Sequence, residues 1–179
     1  ECKRVLKPDG GLWIIGSYHN IFRIGKILQD LNFWILNDVI WAKSNPLPNF
    51  RATRLTNAHE TLIWCSKKPK SKYQFNYHTL KVANEDRQER SIWNFPICSG
   101  KERLKNNKNQ TAHPTQKPLA LMKKIIIQSS IQGDLVLEPF AGTASFCAEA
   151  KYLGRNYLGF EKDETYFKLA VKRLNKIKT

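Results

Sequence analysis

The sequence predicts an α/β fold in which a mostly parallel sheet is covered by helices. Residues 135–137 form a short apolar segment, followed by a loop of small residues, a helical stretch and a second apolar segment at 156–160. A strand, helix and strand in this order are typical of a parallel pair. Residues 33–41 are apolar and rich in β-branched side chains, which favours a strand covered on both faces.

The remaining elements follow from periodicity. Apolar residues from Ile21 to Leu31 keep helical spacing, so we predict a helix over residues 20–31 with Asn20 as its N-cap. Residues 12–15 and 61–65 read as two further strands of the sheet. Apolar positions from Tyr166 to Leu174 predict an amphipathic helix over residues 164–177 that covers the sheet.

The composition favours a polyanionic partner. The 179 residues contain 30 Lys and Arg against 15 Asp and Glu, a net charge of +15. Nucleic acid is the leading candidate, and a generally basic protein is the alternative. The four cysteines have no C-x-x-C spacing, so we expect reduced thiols in a cytosolic protein. No apolar run is as long as a membrane span.

Residues 66–110 differ in character from the rest. Lysines are followed by Tyr73, Phe75 and Tyr77 at alternating positions, which predicts a strand with one aromatic face. Residues 91–96 predict another short strand. The rings could face DNA, where aromatic side chains fill unstacked gaps, but we favour their packing in the domain's own small core.

A ligand site is predicted after the strand at 135–137. Gly142 lies in the loop that follows, and Glu161 ends the next strand about 20 residues later, the layout that holds an adenosine at the carboxyl edge of a parallel sheet. Ala144 stands where a second glycine of a pyrophosphate loop would be. A phosphate-free nucleoside therefore fits better, and S-adenosylmethionine is the common one.

The methionine end of that ligand needs partners. We predict a helix that begins at Gln116, capped by Thr115, whose free amides at Gln116 and Lys117 hold the carboxylate. Glu138 could take the ammonium group. Thr143 or Ser145 is expected to cap the helix after the loop.

Longer sequence words carry a resemblance to a known family. H-P-T-Q-K-P at residues 113–118, followed by E-P-F-A-G at 138–142, resembles motifs X and I of the DNA amino-methyltransferases. Upstream, N-P-L-P-N-F at 45–50 and N-A-H-E-T-L-I-W at 57–64 resemble the HinfI and CcrM type of adenine-N6 methyltransferase, which acts on GANTC sites. The similarity covers nearly the whole chain.

The resemblance implies a Rossmann-like methyltransferase fold with three parts: a catalytic half at 1–65, a target-recognition insertion at 66–111 and an S-adenosylmethionine-binding half at 112–179. It implies double-stranded DNA as the partner and a place in the cytoplasm, at the nucleoid. The oligomeric state is not fixed, and a homodimer is one option. The implied cofactor contacts are Ser17, His113, Thr115, Gln116, Lys117, Glu138, Phe140, Ala141, Gly142, Thr143 and Glu161. The implied DNA contacts are Asn45, Arg51, Thr53, Arg54 and Asn57.

No catalytic residue is assigned. The family's motif is [D/N/S]-P-P-[Y/F/W], and Leu47 splits the prolines of the only near match, N-P-L-P. We expect the true motif upstream of Glu1 and interpret the chain as a fragment that does not methylate alone. A metal site is not expected, because His59-Glu60 lacks the second histidine of H-E-x-x-H at Ile63.

Three alternatives stay open. Cytosine-N4 methyltransferases share the architecture, so the target base depends on the missing motif. A non-catalytic basic DNA-binding remnant fits the charge, and an alanine at 144 in place of the family's usual glycine suits such a remnant. An NAD-type enzyme is disfavoured by the missing phosphate-binding glycines.

Overall fold

The computed structural model describes residues 1–106 and 108–177, which divide into two compact units, Glu1–Pro96 and Ile97–Thr179. The strands are β1 (Gly11–Gly16), β2 (Trp34–Lys43), β3 (His59–Ser66), β4 (Ile92–Phe95), β5 (Leu135–Glu138) and β6 (Asn156–Gly159). The helices are α1 (Cys2–Val5), α2 (Ile21–Asp30), α3 (Tyr77–Ala83), α4 (Leu119–Ser129), α5 (Ser145–Tyr152) and α6 (Glu164–Asn175). The α/β class is confirmed, and every predicted strand forms except the one expected at residues 73–77. The three-part division of the sequence stays a prediction.

The sheet of the first unit is mixed, whereas we expected mostly parallel strands. Its order is β1-β3-β2-β4, with β3 antiparallel to both neighbours and only β2 and β4 parallel. The physical reason is the connection from β2 to β3, which contains no helix. Antiparallel neighbours can be joined without the crossover helix that parallel neighbours use.

Helix α2 covers one part of this sheet. Its buried residues Ile21 and Leu28 pack with Phe33, Ile63 and Cys65. The helix matches the predicted segment to within one residue at each end. Asn20 occupies the N-cap position, although its side chain accepts no capping hydrogen bond from the described backbone.

The aromatic residues at 73–77 correct a prediction. They do not form a strand; Tyr77 begins α3, and the ring of Tyr73 meets the indole of Trp64 edge-on at 5.2 Å. Phe75 lies 5.5 Å from the same indole, which also stacks on Trp13. Alternating aromatics give a strand only when a neighbouring strand is available to pair, and here the rings of Tyr73 and Phe75 both contact the Trp64 indole instead. Their packing inside the unit agrees with the interpretation that we favoured.

The second unit is built around a parallel pair. β5 and β6 pair in register from Leu135 with Asn156 to Glu138 with Gly159, as predicted. Ile126 of α4, Val136 of β5 and Ala150 of α5 form a buried cluster that holds these elements together. Among the described residues, no helix is long and apolar enough to cross a membrane.

Candidate functional site

The loop between β5 and α5 contains two residues in the left-handed conformation. Gly142 has φ 53° and Ala144 has φ 54°. A Cβ atom at residue 142 would lie 3.1 Å from Nε2 of His113. Gly142 is therefore required both by its backbone conformation and by the close approach of the imidazole ring.

Glu161 is fastened to this loop. The amide of Gly142 donates to Oε2 of Glu161 at 2.8 Å, and the amide of Asp163 donates to Oε1 at 2.9 Å. The bond from Asp163, followed by the bond from Gly142, lowers the pKa of the Glu161 carboxyl. A carboxylate oxygen can accept two hydrogen bonds, and each Glu161 oxygen accepts one of these two bonds. An ionised Glu161 therefore keeps acceptor capacity for further donors.

His113 completes the cluster. Its ring lies against Gly142 and meets Tyr166 edge-on, with 4.5 Å between centroids. Nδ1 of His113 accepts from the amide of Thr115 at 3.2 Å. Burial lowers the pKa of His113, while the Glu161 carboxylate raises it. In the neutral ring the proton then lies on Nε2, the atom that faces Gly142.

The start of α4 corrects another prediction. The helix begins at Leu119 with Pro118 as its N-cap, and not at Gln116. A proline disfavours the helical conformation in the residue before it, which is Lys117 here. Thr115 consequently caps no helix, and the amides of Gln116 and Lys117 lie in the segment before α4.

The side chain of Gln116 is used inside the unit. Its Oε1 accepts from the amide of Leu104 at 3.0 Å, and its Nε2 donates to the carbonyl of Glu102 at 2.9 Å. The carboxylate of Glu102 accepts from the amide of Leu119 at the start of α4. An anionic side chain therefore occupies the helix start that we had assigned to a ligand carboxylate.

Glu138 has a similar role at α5. Its Oε2 accepts from the amide of Cys147 at 3.1 Å, in the first turn of the helix. Burial raises the pKa of Glu138 to about 6, and the hydrogen bonds from Cys147 oppose that rise. The carboxyl group thus points to the helix backbone.

Neither predicted cap of α5 acts as one. The N-cap residue is Ala144, while Thr143 and Ser145 on either side of it serve as acceptors. Nη1 of Arg173 donates to the carbonyl of Thr143 and to Oγ of Ser145, both at 2.9 Å. The N-cap residue of a side-chain cap typically has an extended conformation. Ala144 is left-handed instead, and no N-cap side chain caps this helix in the described part of the chain.

Two further predicted contacts lie in the same loop. Phe140 is 89 % exposed. The amide of Ala141 donates to the carbonyl of Phe160 at 2.8 Å, which ties the loop to the end of β6. Ala141 and Thr143 are buried. Their backbone groups stabilise the loop: the Ala141 amide bonds to Phe160 and the Thr143 carbonyl accepts from Arg173.

Ser17 lies in the first unit, immediately after β1. Its carbonyl accepts from the amides of Asn20 and Ile21, both at 3.0 Å. Ser17 therefore shapes the turn that leads into α2.

The loop that joins β2 to β3 carries the predicted DNA contacts. Nη1 of Arg54 donates to the hydroxyl of Tyr18 at 2.7 Å, and the Arg54 carbonyl accepts from Nδ2 of Asn49 at 2.9 Å. Two large apolar side chains, Phe50 and Leu55, are 87 % and 92 % exposed beside the arginines. All the predicted contact residues of this loop are exposed: Asn45, Arg51, Thr53, Arg54 and Asn57.

Sequence reasoning missed two structural residues of the loop region, Arg173 and Glu102. Arg173 lies three positions after the buried Ala170 and so shares its helix face. A charged residue on a buried face signals a buried partner, and this signal was available. Glu102 gave no comparable signal. Within residues 1–106 and 108–177, no group of three or more His, Cys, Asp or Glu side chains could hold a metal ion.

Comparison with known proteins identifies the family. The model of the N6_N4_Mtase family, described as DNA methylase, matches residues 1–172. The chain belongs to this DNA methylase family. It is 56 % identical over 178 residues to the Type II methyltransferase M.HinfI of Haemophilus influenzae, covering 99 % of this chain and 50 % of that protein. It is 39 % identical over 177 residues to the Type II methyltransferase M2.MboI of Moraxella bovis, covering 99 % of this chain and 63 % of that one.

A solved relative supports the same fold. The structure of the M1.HpyAVI–SAM complex superposes with a TM-score of 0.79 at 36 % identity, covering 97 % of this chain and 78 % of the other. The methyltransferase fold is thereby confirmed. This DNA methylase chain spans about half the length of M.HinfI.

Proposed function

We propose that this chain forms the cofactor-binding and DNA-contacting part of a site-specific DNA methyltransferase that transfers a methyl group from S-adenosylmethionine to adenine N6, at GANTC. One observation carries the proposal: Gly142, Glu161 and His113 meet at the carboxyl ends of two parallel strands. Ligands of open α/β sheets bind at this edge. The 56 % identity to M.HinfI and the resemblance to GANTC-specific enzymes support the substrate.

The adenosine end of S-adenosylmethionine fits the residues of this loop. Glu161 is half-buried, its lowered pKa favours the ionised form, and it keeps acceptor capacity for the two ribose hydroxyls. The exposed ring of Phe140 offers an apolar face on which an adenine could stack. Gly142 allows the backbone to come close to a ligand.

The methionine end is proposed to lie along residues 113–117. The carboxylate of the methionine end is proposed to bind backbone groups of Thr115, Gln116 and Lys117. These residues form a loop before α4 and not the start of the helix. Glu138 holds the first turn of α5 through its Oε2, and its contact with the ammonium group stays part of this proposal. When bound, the cofactor supplies the methyl group, and these residues orient it.

Calorimetry with S-adenosylmethionine tests the cofactor assignment. We expect Glu161→Ala to abolish the binding heat, because it removes the acceptors for both ribose hydroxyls. Glu164→Ala is the matched control, since Glu164 is an exposed carboxylate that pairs with Lys168 on α6. Unchanged binding in Glu161→Ala would overturn the assignment.

The loop between β2 and β3 is the proposed DNA-contacting surface. Arginines with short polar residues suit guanine edges and phosphates, and the net charge of +15 favours a polyanion. Fluorescence anisotropy should show tighter binding to a GANTC duplex than to a duplex with the same composition in scrambled order. Equal affinity for the two duplexes would leave only non-specific binding.

Methyl transfer is not expected from the 179 residues alone, because they contain no D-P-P-Y type motif. The exocyclic amine of adenine is a poor nucleophile, since its lone pair is delocalised into the ring. Purified chain with labelled S-adenosylmethionine and a GANTC duplex should therefore give no labelled DNA. Transfer of label to adenine would show that catalytic groups are present here.

A further inference from the structure

Arg173 of α6 grips the loop between β5 and α5 at two successive points. Its Nη1 donates to the Thr143 carbonyl and to the Ser145 Oγ, each at 2.9 Å, with a longer contact of 3.5 Å to the Thr143 hydroxyl. The residue between these two acceptors is Ala144. One guanidinium therefore bridges the turn at Ala144.

The surroundings keep this guanidinium in place. Burial disfavours its charge, and the carboxylates of Glu102, Glu138 and Glu149 favour it. Glu138 itself holds the first turn of α5. A half-buried guanidinium that is hydrogen-bonded to the loop and lies among carboxylates in this way is restrained in orientation.

Ala144 needs such support. Its φ of 54° and ψ of 45° are left-handed, a conformation that Cβ penalises. Its methyl group is buried, with 2 % of the residue exposed. Backbone strain of this kind persists only where the surroundings over-determine the conformation.

We propose that Arg173 is a positioning residue for the cofactor loop: by bonding to both neighbours of Ala144, it holds an alanine in the conformation that a glycine adopts without strain. The inference rests on the proposed function, in which this loop binds S-adenosylmethionine. It also explains how the loop tolerates alanine at a position where the family usually has glycine.

A double-mutant cycle tests the proposal. Arg173→Lys keeps the charge among the carboxylates, but the lysine side chain is one bond shorter and does not reproduce the position of the Nη1 atom that bonds to both Thr143 and Ser145. The affinity of the Arg173→Lys variant for S-adenosylmethionine should fall roughly 5- to 30-fold. This range is the strain energy of a left-handed alanine, converted to a change in affinity at 1.4 kcal/mol per tenfold. In the Ala144→Gly background the same change should cost no more than about twofold, because glycine needs no support.

A second readout does not depend on the cofactor. Amide hydrogen exchange of residues 142–147 in the free chain should be faster in Arg173→Lys and restored in the double variant. If wild-type chain shows no cofactor binding, the proposed function fails, and exchange alone decides the role of Arg173. Should Arg173→Lys not fold, Ser145→Ala removes one acceptor and is expected to act in the same direction, again with rescue by Ala144→Gly.

Arg155→Lys is the matched control. Arg155 also donates to backbone carbonyls in the second unit, to Leu153 and Ser130 at 2.8 Å each, but at the start of β6. Its affinity for S-adenosylmethionine should stay within about twofold of wild type. The proposal is overturned if Arg173→Lys changes neither affinity nor exchange, if Arg155→Lys weakens binding equally, or if glycine at 144 fails to rescue.

Discussion

Substitution of Gly142 by alanine isolates the close approach between the loop and His113. Two costs are combined at this position. A Cβ atom disfavours φ 53°, and it would lie 3.1 Å from Nε2 of His113. Gly100→Ala supplies the first cost alone, because Gly100 has φ 58° and nothing described lies within 4 Å of its added Cβ.

The two costs can be estimated separately. Left-handed alanine costs roughly 1–2 kcal/mol, and the smaller unfolded-state entropy of alanine returns about 0.5–1, so Gly100→Ala should destabilise by roughly 0–1.5 kcal/mol. In Gly142→Ala the imidazole must also move. An off-rotamer side chain and the lost contact of His113 with Tyr166 each cost about 0.5–1.5 kcal/mol. The expected excess of Gly142→Ala over Gly100→Ala is therefore about 1–3 kcal/mol.

Urea unfolding followed by circular dichroism measures both changes. Gly100 and Gly142 lie in the same compact unit, so they report on the same transition, and equal m-values would validate the comparison. Gly142→Ala should also weaken binding of S-adenosylmethionine, whereas Gly100→Ala should not. Equal destabilisation by the two substitutions would refute the contact between residue 142 and the imidazole.

Three further substitutions test the rest of the structure. Burial raises the pKa of Glu138 to about 6 from 4.5, so the folded state binds this proton more tightly than the unfolded state. The stability that the group contributes well below pH 4.5, about 2 kcal/mol, is lost as pH rises through 6. Glu138→Gln should remove this pH dependence from urea-unfolding data. Arg54→Ala should lower the slope of log affinity for DNA against log salt by about 0.9 if Arg54 contacts one phosphate. Arg4→Ala is the control: it loses only an exposed ion pair with the Glu1 side chain, and it should leave the anisotropy data unchanged. Gln116→Leu should destabilise the unit by about 1–3 kcal/mol for each of the two backbone groups left unpaired. Gln128→Leu is the control in the same unfolding assay. It should be neutral or stabilising, because Oε1 of Gln128 is buried without a partner among the described residues.

Local patterns predicted most of the fold. Periodicity located α2 and α6, because each of these helices buries one face, and short apolar runs located β2 and β3. The direction of β3 could not be predicted in this way. Strand direction depends on what connects the strands. The sequence between β2 and β3 did not reveal whether this connection contains a crossover helix.

The site was predictable where one residue carries one physical requirement. Gly142 and Glu161 were recognised from spacing, and they are joined by a hydrogen bond. We predicted the wrong start for α4, although Pro118 disfavours a helical conformation at Lys117 and so indicated that the helix begins later. The bridge from Arg173 to the loop spans about 30 residues of sequence, and no local pattern encodes such a pairing.

Two carboxylates in the second unit meet the same physical need at two helix starts. First-turn amides have no intrahelical acceptor, and the helix dipole favours negative charge there. Glu102 accepts from Leu119 at α4, and Glu138 accepts from Cys147 at α5. The sequence indicates that an acceptor is needed, but not whether a side chain or a ligand supplies it, because the side chains lie 17 and 9 residues away along the chain. Since the protein fills both positions itself, a charged ligand gains little from these helix starts, and the affinity for the proposed cofactor must come chiefly from the adenosine side of the loop.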